Sequence, residues 1–156
     1  MKTKKRPKNG KKWHQGQFFP QKKNKYKGKY PVIYRSSWEL EWMRFCDMNS
    51  NILYWASESM VVLYEDKTRQ NTKHRYFVDF NMIIKDSHGN IKKYFIEVKP
   101  FNQTQPPKNK RAKSYKDSCL TYIRNICKWK AAVKEAKKYG GEFKILTEQG
   151  LIDVKF

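Results

Sequence analysis

The chain has 156 residues and carries 35 Lys and Arg against 14 Asp and Glu, a formal net charge of +21, with 38% hydrophobic and 15% aromatic residues. That aromatic share excludes a wholly disordered chain, and no apolar run approaches the roughly 20 residues a bilayer-spanning helix needs. The length suits one domain, and the charge calls for a polyanion, with nucleic acid the first candidate and a membrane partner not expected.

Residues 1–30 hold twelve Lys or Arg and no acid, interleaved with Trp13, Phe18, Phe19, Tyr26 and Tyr30. They read as a flexible basic arm, with the folded domain spanning 31–156. No apolar segment of a secretory signal opens the chain. Cys46, Cys119 and Cys127 form no Cys-x-x-Cys pair and no zinc pattern with His14, His74 and His88; a reduced intracellular protein is expected.

A helix is predicted from Ser36-Ser37, where serine is a good N-cap and the acids Glu39 and Glu41 complement the helix dipole. Trp38, Trp42 and Phe45 form its apolar stripe, and it should end near Asn49-Ser50-Asn51. Two extended segments follow, Ile52 to Trp55 and Met60 to Tyr64, then a polar turn from Glu65 to Asn71. Arg75 to Ile84 is a strong strand, Asp86 to Asn90 a hairpin turn, and Ile91 to Val98 the returning strand, stopped by Pro100. A basic loop spans 100–116. A helix is predicted from Asp117 to Tyr139, with Leu120, Ile123, Cys127 and Ala131, together with Trp129 and Val133, as buried candidates and Gly140-Gly141 ending it. Phe143 to Leu146 is a core strand, and Leu151 to Phe156 can add a short one. The order helix, three strands, helix, strand implies an α/β fold with a mixed central sheet flanked by helices.

Two acids interrupt runs that otherwise look buried. Asp79 lies in Tyr76-Phe77-Val78-Asp79-Phe80, and Glu97 in Phe95-Ile96-Glu97-Val98-Lys99-Pro100. A carboxylate in an apolar strand is costly unless something pairs with it. Two carboxylates on adjacent strands repel, and a hard divalent cation resolves that repulsion. Alternation puts Glu97 and Lys99 on one face, where a lysine can position a water or neutralise an attacked phosphate. The Val98 carbonyl oxygen is a further candidate ligand, since oxygen donors suit magnesium or manganese. The competing structural reading pairs Asp79 with Lys99 as an ordinary cross-strand ion pair.

Val78-Asp79 followed by Glu97-Val98-Lys99, in this element order, resembles the PD-(D/E)XK nuclease superfamily, with Val78 where proline is usual. The resemblance implies a restriction-endonuclease-like core, phosphodiester hydrolysis with Mg2+ (Mn2+ substituting), and Asp79, Glu97 and Lys99 as its catalytic residues. Arg35-Ser36-Ser37-Trp38-Glu39 is similar to an element by which many members add an acid to the metal shell. Glu39 is thus a fourth candidate, or else a first-turn acid serving the helix dipole. Pro31 to Glu39, Arg75 to Phe80, Glu97 to Pro100, Thr104 to Pro107 and Lys128 to Ala132 further resemble the head completion nucleases of T4-like tailed phages. That resemblance implies an endonuclease acting on packaged DNA ends, or at the portal vertex before tail joining. Portal or neck proteins would be partners, in the host cytoplasm during assembly or in the virion. The alternative is a structural DNA-binding capsid-completion protein that keeps the fold without using the activity. Gln103, Gln105, Lys108, Lys110, Arg111 and Lys113 in the loop, with Asn125 and Lys128 on the second helix, are the candidate DNA contacts.

Overall fold

A computed structural model describes residues 15–154. In chain order the elements are strands β1 (Gly16–Phe18) and β2 (Val32–Tyr34), helix α1 (Ser37–Met48), and strands β3 (Ile52–Asp66), β4 (Thr72–Lys85) and β5 (Ile91–Val98). Helix α2 (Tyr115–Lys138) and strands β6 (Glu142–Thr147) and β7 (Gly150–Ile152) complete the described chain. The main sheet runs β3-β4-β5-β6-β7. Its β5–β6 pair is parallel, joined by α2 as the crossover, and the other pairs are antiparallel. The predicted mixed α/β sheet flanked by helices is what forms.

Two apolar clusters lie on the two sides of the sheet, because successive strand residues point to opposite faces. Ile96 joins Trp42, Met43, Trp55 and Phe80 on the α1 side. Its neighbour Phe95 joins Trp129, Ala132, Phe143 and Ile145 on the α2 side. Among the tryptophans, Trp42, Trp55 and Trp129 are buried and Trp38 is partly so.

The structure corrects several details of the sequence reading. The two predicted extended segments between 52 and 64 are one strand, β3, bent by a bulge. Ser57 and Met60 on β3 face Phe80 and Val78 on β4, so two β3 residues stand against Asp79 alone. Glu58 takes a left-handed backbone there, with φ at +49°. On β4 the buried even-numbered residues change side across this point, Phe80 and Met82 packing with the α1 cluster and Tyr76 and Val78 with the α2 cluster. Bulges re-aim side chains in this way and are frequent beside active sites.

The helices are rotated relative to their predicted faces. On α1 the buried set is Trp42, Met43, Cys46 and Asp47, while Phe45 is exposed. Burial of Asp47 is not legible in the sequence because its partners come from far away, the backbone N–H groups of Gln21 and Lys22. On α2 the buried residues are Asn125, Trp129, Ala132 and Ala136. Ile123 is exposed, and Cys127 and Ala131 only flank the core. Small alanines let α2 lie close on the sheet, whereas the bulkier Ile123 looks outward. That helix also begins at Tyr115, two residues before the predicted start.

The basic segment before residue 31 is divided. Residues 1–14, with much of the expected arm, lie outside the described residues. From Gln15 onward the segment is woven into the domain rather than set apart from it. Tyr26 is buried against Trp55, and the backbones of Lys25, Lys27 and Trp55 exchange hydrogen bonds. The Lys25 ammonium donates to the carbonyls of Cys46, Asp47 and Asn49, at 2.9, 2.9 and 2.7 Å. A cation there satisfies the orphan carbonyls and complements the negative end of the α1 dipole. A lysine-rich composition conceals this because one of its lysines is structural. At the other end, β7 supplies the short strand expected there, and Lys155 and Phe156 lie outside the described residues.

Candidate active site

The β4–β5 ladder runs from Lys85 opposite Ile91 to Phe80 opposite Ile96 and stops. One step further, the Val98 N–H donates to Asp79 Oδ2 at 2.8 Å. A side-chain carboxylate therefore takes the place of the next ladder carbonyl, at the level of the β3 bulge. Burial pushes the Asp79 carboxyl well above its ordinary value, and the Glu97 charge pushes it further. The Val98 N–H and Lys99 oppose these effects, and Glu39 adds to them. The two acids are thus near enough for one to disfavour the ionisation of the other.

Glu97 is only 5% exposed. Its two oxygens have different partners. The Tyr76 hydroxyl donates to Oε2 at 2.5 Å, and the Lys99 ammonium lies 3.3 Å from Oε1. Lys99 stands at the end of β5, partly exposed, with its backbone N–H held by the Leu146 carbonyl of β6. Tyr76 is buried, and burial followed by the charges of Glu97 and Asp79 raises its pKa well above that of a free phenol; it remains a donor.

Glu39 begins α1. Its N–H donates to the Ser36 hydroxyl, which donates back to Oε1 at 3.1 Å, while Oε2 accepts the Arg35 N–H at 2.9 Å. This is a capping arrangement, and the Ser36-x-x-Glu39 spacing announces it in the sequence. Its helix-start role leaves Glu39 lining the cleft beside Val98 and Lys99. Arg35, Ser36, Glu39, Val98, Lys99 and Gln103 line a cleft of about 520 Å³. Arg35 also pairs with Glu58, tying the start of α1 to the bulge. Among the described residues no three His, Cys, Asp or Glu side chains gather closely enough to hold a metal ion by themselves.

The candidate DNA contacts separate. Gln103 faces the cleft and also a neighbouring hollow of about 440 Å³ that Gln105 and Asn125 share. Lys108, Lys110, Arg111 and Lys113 are exposed on the loop and line neither. Lys128 is half-buried on the α2 side of the sheet. Its ammonium sits 5.6 Å from the centre of the Tyr76 ring and 5.9 Å from that of Tyr64. Burial lowers its pKa, opposed by the attraction of Glu97. Sequence reasoning misses Tyr76 altogether, since an aromatic in an apolar strand reads as core.

The layered sheet, its parallel crossover through α2, and the paired acids where β4 and β5 part define a restriction-endonuclease-like protein. The family described as TnsA-like endonuclease N terminal matches residues 49–148, and the chain belongs to it. That span contains Asp79, Glu97 and Lys99 and begins after Glu39. The chain is also similar to the Head completion nuclease of Enterobacteria phage T4, with 38% identity over 145 residues, 88% of this chain and 93% of that protein.

Proposed function

We propose that this chain is a divalent-cation-dependent DNA endonuclease of phage head completion, acting on packaged DNA ends or at the portal vertex before tail joining. The observation that carries the chemistry is the meeting of Asp79 and Glu97 where β4 and β5 separate, with Lys99 on Glu97 and an open cleft beside them. The assembly role rests on the likeness to the phage T4 protein.

The donor set fits magnesium or manganese. Asp79 is held where its charge is disfavoured by burial and by Glu97, and a hard cation reverses both penalties. Asp79, Glu97 and the Val98 carbonyl oxygen would hold it, with Glu39 near enough to add its charge. A bound cation would supply Lewis acidity toward a phosphoryl oxygen and acidify the attacking water. The protein's own groups do the rest. The Lys99 ammonium, fixed by Glu97, orients the attacking water and offsets charge gathering on the phosphorus-bound oxygens. Water forms the new P–O bond as the bond from phosphorus to the departing ester oxygen breaks, and that oxygen ends with the proton the water gives up. Arg35, Ser36 and Gln103, on the cleft wall, hold the backbone phosphate in place, an interaction that carries no base sequence.

Plasmid nicking tests this. Wild-type protein is expected to convert supercoiled DNA to open circles with Mg2+ or Mn2+ and not with EDTA. Asp79→Asn and Lys99→Ala are each expected to reduce cleavage to background while still binding DNA and unfolding cooperatively. Cleavage in EDTA, or undiminished cleavage by either variant, would defeat the assignment. A wild-type protein that binds DNA and never cuts it would favour the structural DNA-binding role.

A further inference from the structure

We propose that Tyr76 is the positioning residue of this site, fixing the Glu97 carboxylate through its hydroxyl so that Oε1 is presented to Lys99. The proposal rests on the reading of Glu97 as a metal-binding acid.

A glutamate has three rotatable bonds, and a ligand that must be ordered afresh for each cation binds it more weakly. Here Glu97 is almost fully buried, and the Tyr76 hydroxyl takes Oε2 at 2.5 Å. A donor on one oxygen and an ammonium on the other, 3.3 Å away, remove the rotation of the carboxylate about its own axis. Tyr76 is itself buried. Its ring is buried with Val62, Val78, Phe95 and Trp129, and the Lys128 ammonium stands over it. A cation near a phenol ring withdraws electron density and strengthens the hydroxyl as a donor.

The geometry also links the two acids. Tyr76 and Asp79 belong to the same strand, Asp79 at the point where its buried residues change side and Tyr76 on the α2 side of it. One strand thereby orients both carboxylates, Asp79 by its own position and Glu97 through Tyr76. Lys128, which the sequence offers as a DNA-binding residue, also joins this inner arrangement through the Tyr76 ring.

The test compares full-length wild type, Tyr76→Phe, and protein carrying p-aminophenylalanine at position 76. The last keeps the ring and restores an N–H donor. Calorimetric titration with Mn2+ alone, without DNA, reads the site independently of turnover. The Phe variant is expected to bind Mn2+ about 10- to 100-fold more weakly and to need correspondingly more Mg2+ for half-maximal nicking. At saturating Mg2+ its cleavage rate should stay within about threefold of wild type, since only the ordering of the ligand is removed. The aminophenylalanine protein should regain most of the Mn2+ affinity, which a packing role for the ring would not produce. Wild-type Mn2+ affinity in the Phe variant overturns the proposal while leaving the nuclease reading intact. So does a loss in the Phe variant that the amino group fails to repair. If the Phe variant does not fold, the same titration of the aminophenylalanine protein decides, near-wild-type affinity supporting the proposal and weak binding overturning it. A wild-type protein that neither binds Mn2+ nor cleaves removes the reading of Glu97, and this proposal with it.

Discussion

Replacing Asp79 by asparagine and by alanine separates two roles of one carboxylate. As an acceptor it holds the Val98 N–H at 2.8 Å, beyond the last β4–β5 ladder pair. As a charge it is disfavoured by burial and by Glu97. Asparagine keeps an acceptor of the same reach and removes the charge. Without divalent cation its variant should melt at or above the wild-type temperature. Alanine removes both and strands a buried N–H, at a cost of about 1–3 kcal/mol. For a domain of this size each kcal/mol lowers the melting temperature by about 2–4 °C, so the alanine variant should melt roughly 2–12 °C below the asparagine variant. Calorimetric melting in EDTA at pH 7.5 gives this comparison, and both preparations should fail in the nicking assay. Equal melting of the two variants would show that the Val98 hydrogen bond carries no stability. An asparagine variant melting well below wild type would show that the charge is not the burden its surroundings imply.

Other consequences concern the scaffold and the DNA. Lys25→Met should lower the melting temperature by at least about 4 °C, because three carbonyls at the end of α1 lose a charged donor worth about 2 kcal/mol; an unchanged melting curve would detach that lysine from the fold. Burial alone would raise the Asp66 pKa, but the Thr68 hydroxyl and amide and the Arg124 guanidinium outweigh it and hold it below the ordinary 3.8. Its folded-state pKa is depressed, so its contribution is complete above 3.8 and disappears as pH falls through the lower folded value. Asp66→Asn should therefore flatten the acid limb of the stability profile, and a profile parallel to wild type below pH 4 would contradict this. Neutralising Lys108, Lys110, Arg111 and Lys113 should reduce the salt slope of DNA binding by roughly one for each phosphate that no longer meets a cation, measured by anisotropy across a salt series. An unaltered slope would place the DNA elsewhere.

What the sequence by itself determined follows from local rules. Alternation and turn residues located the β4–β5 hairpin, and the cap and carboxylates located α1. The cost of an acid in an apolar strand singled out Asp79 and Glu97. Their motif, in that order of elements, pointed to the superfamily. What only the tertiary structure decided depends on partners distant in the chain. Tyr76 reads as core until Glu97, 21 residues away, is seen to accept its hydroxyl. Lys25 reads as one more charge of a basic arm until the end of α1 is found beside it. The faces of both helices are set by what lies opposite, and composition cannot report that. The bulge that turns β4 at Asp79 exists only as a register between two strands, and register is a property of the pair.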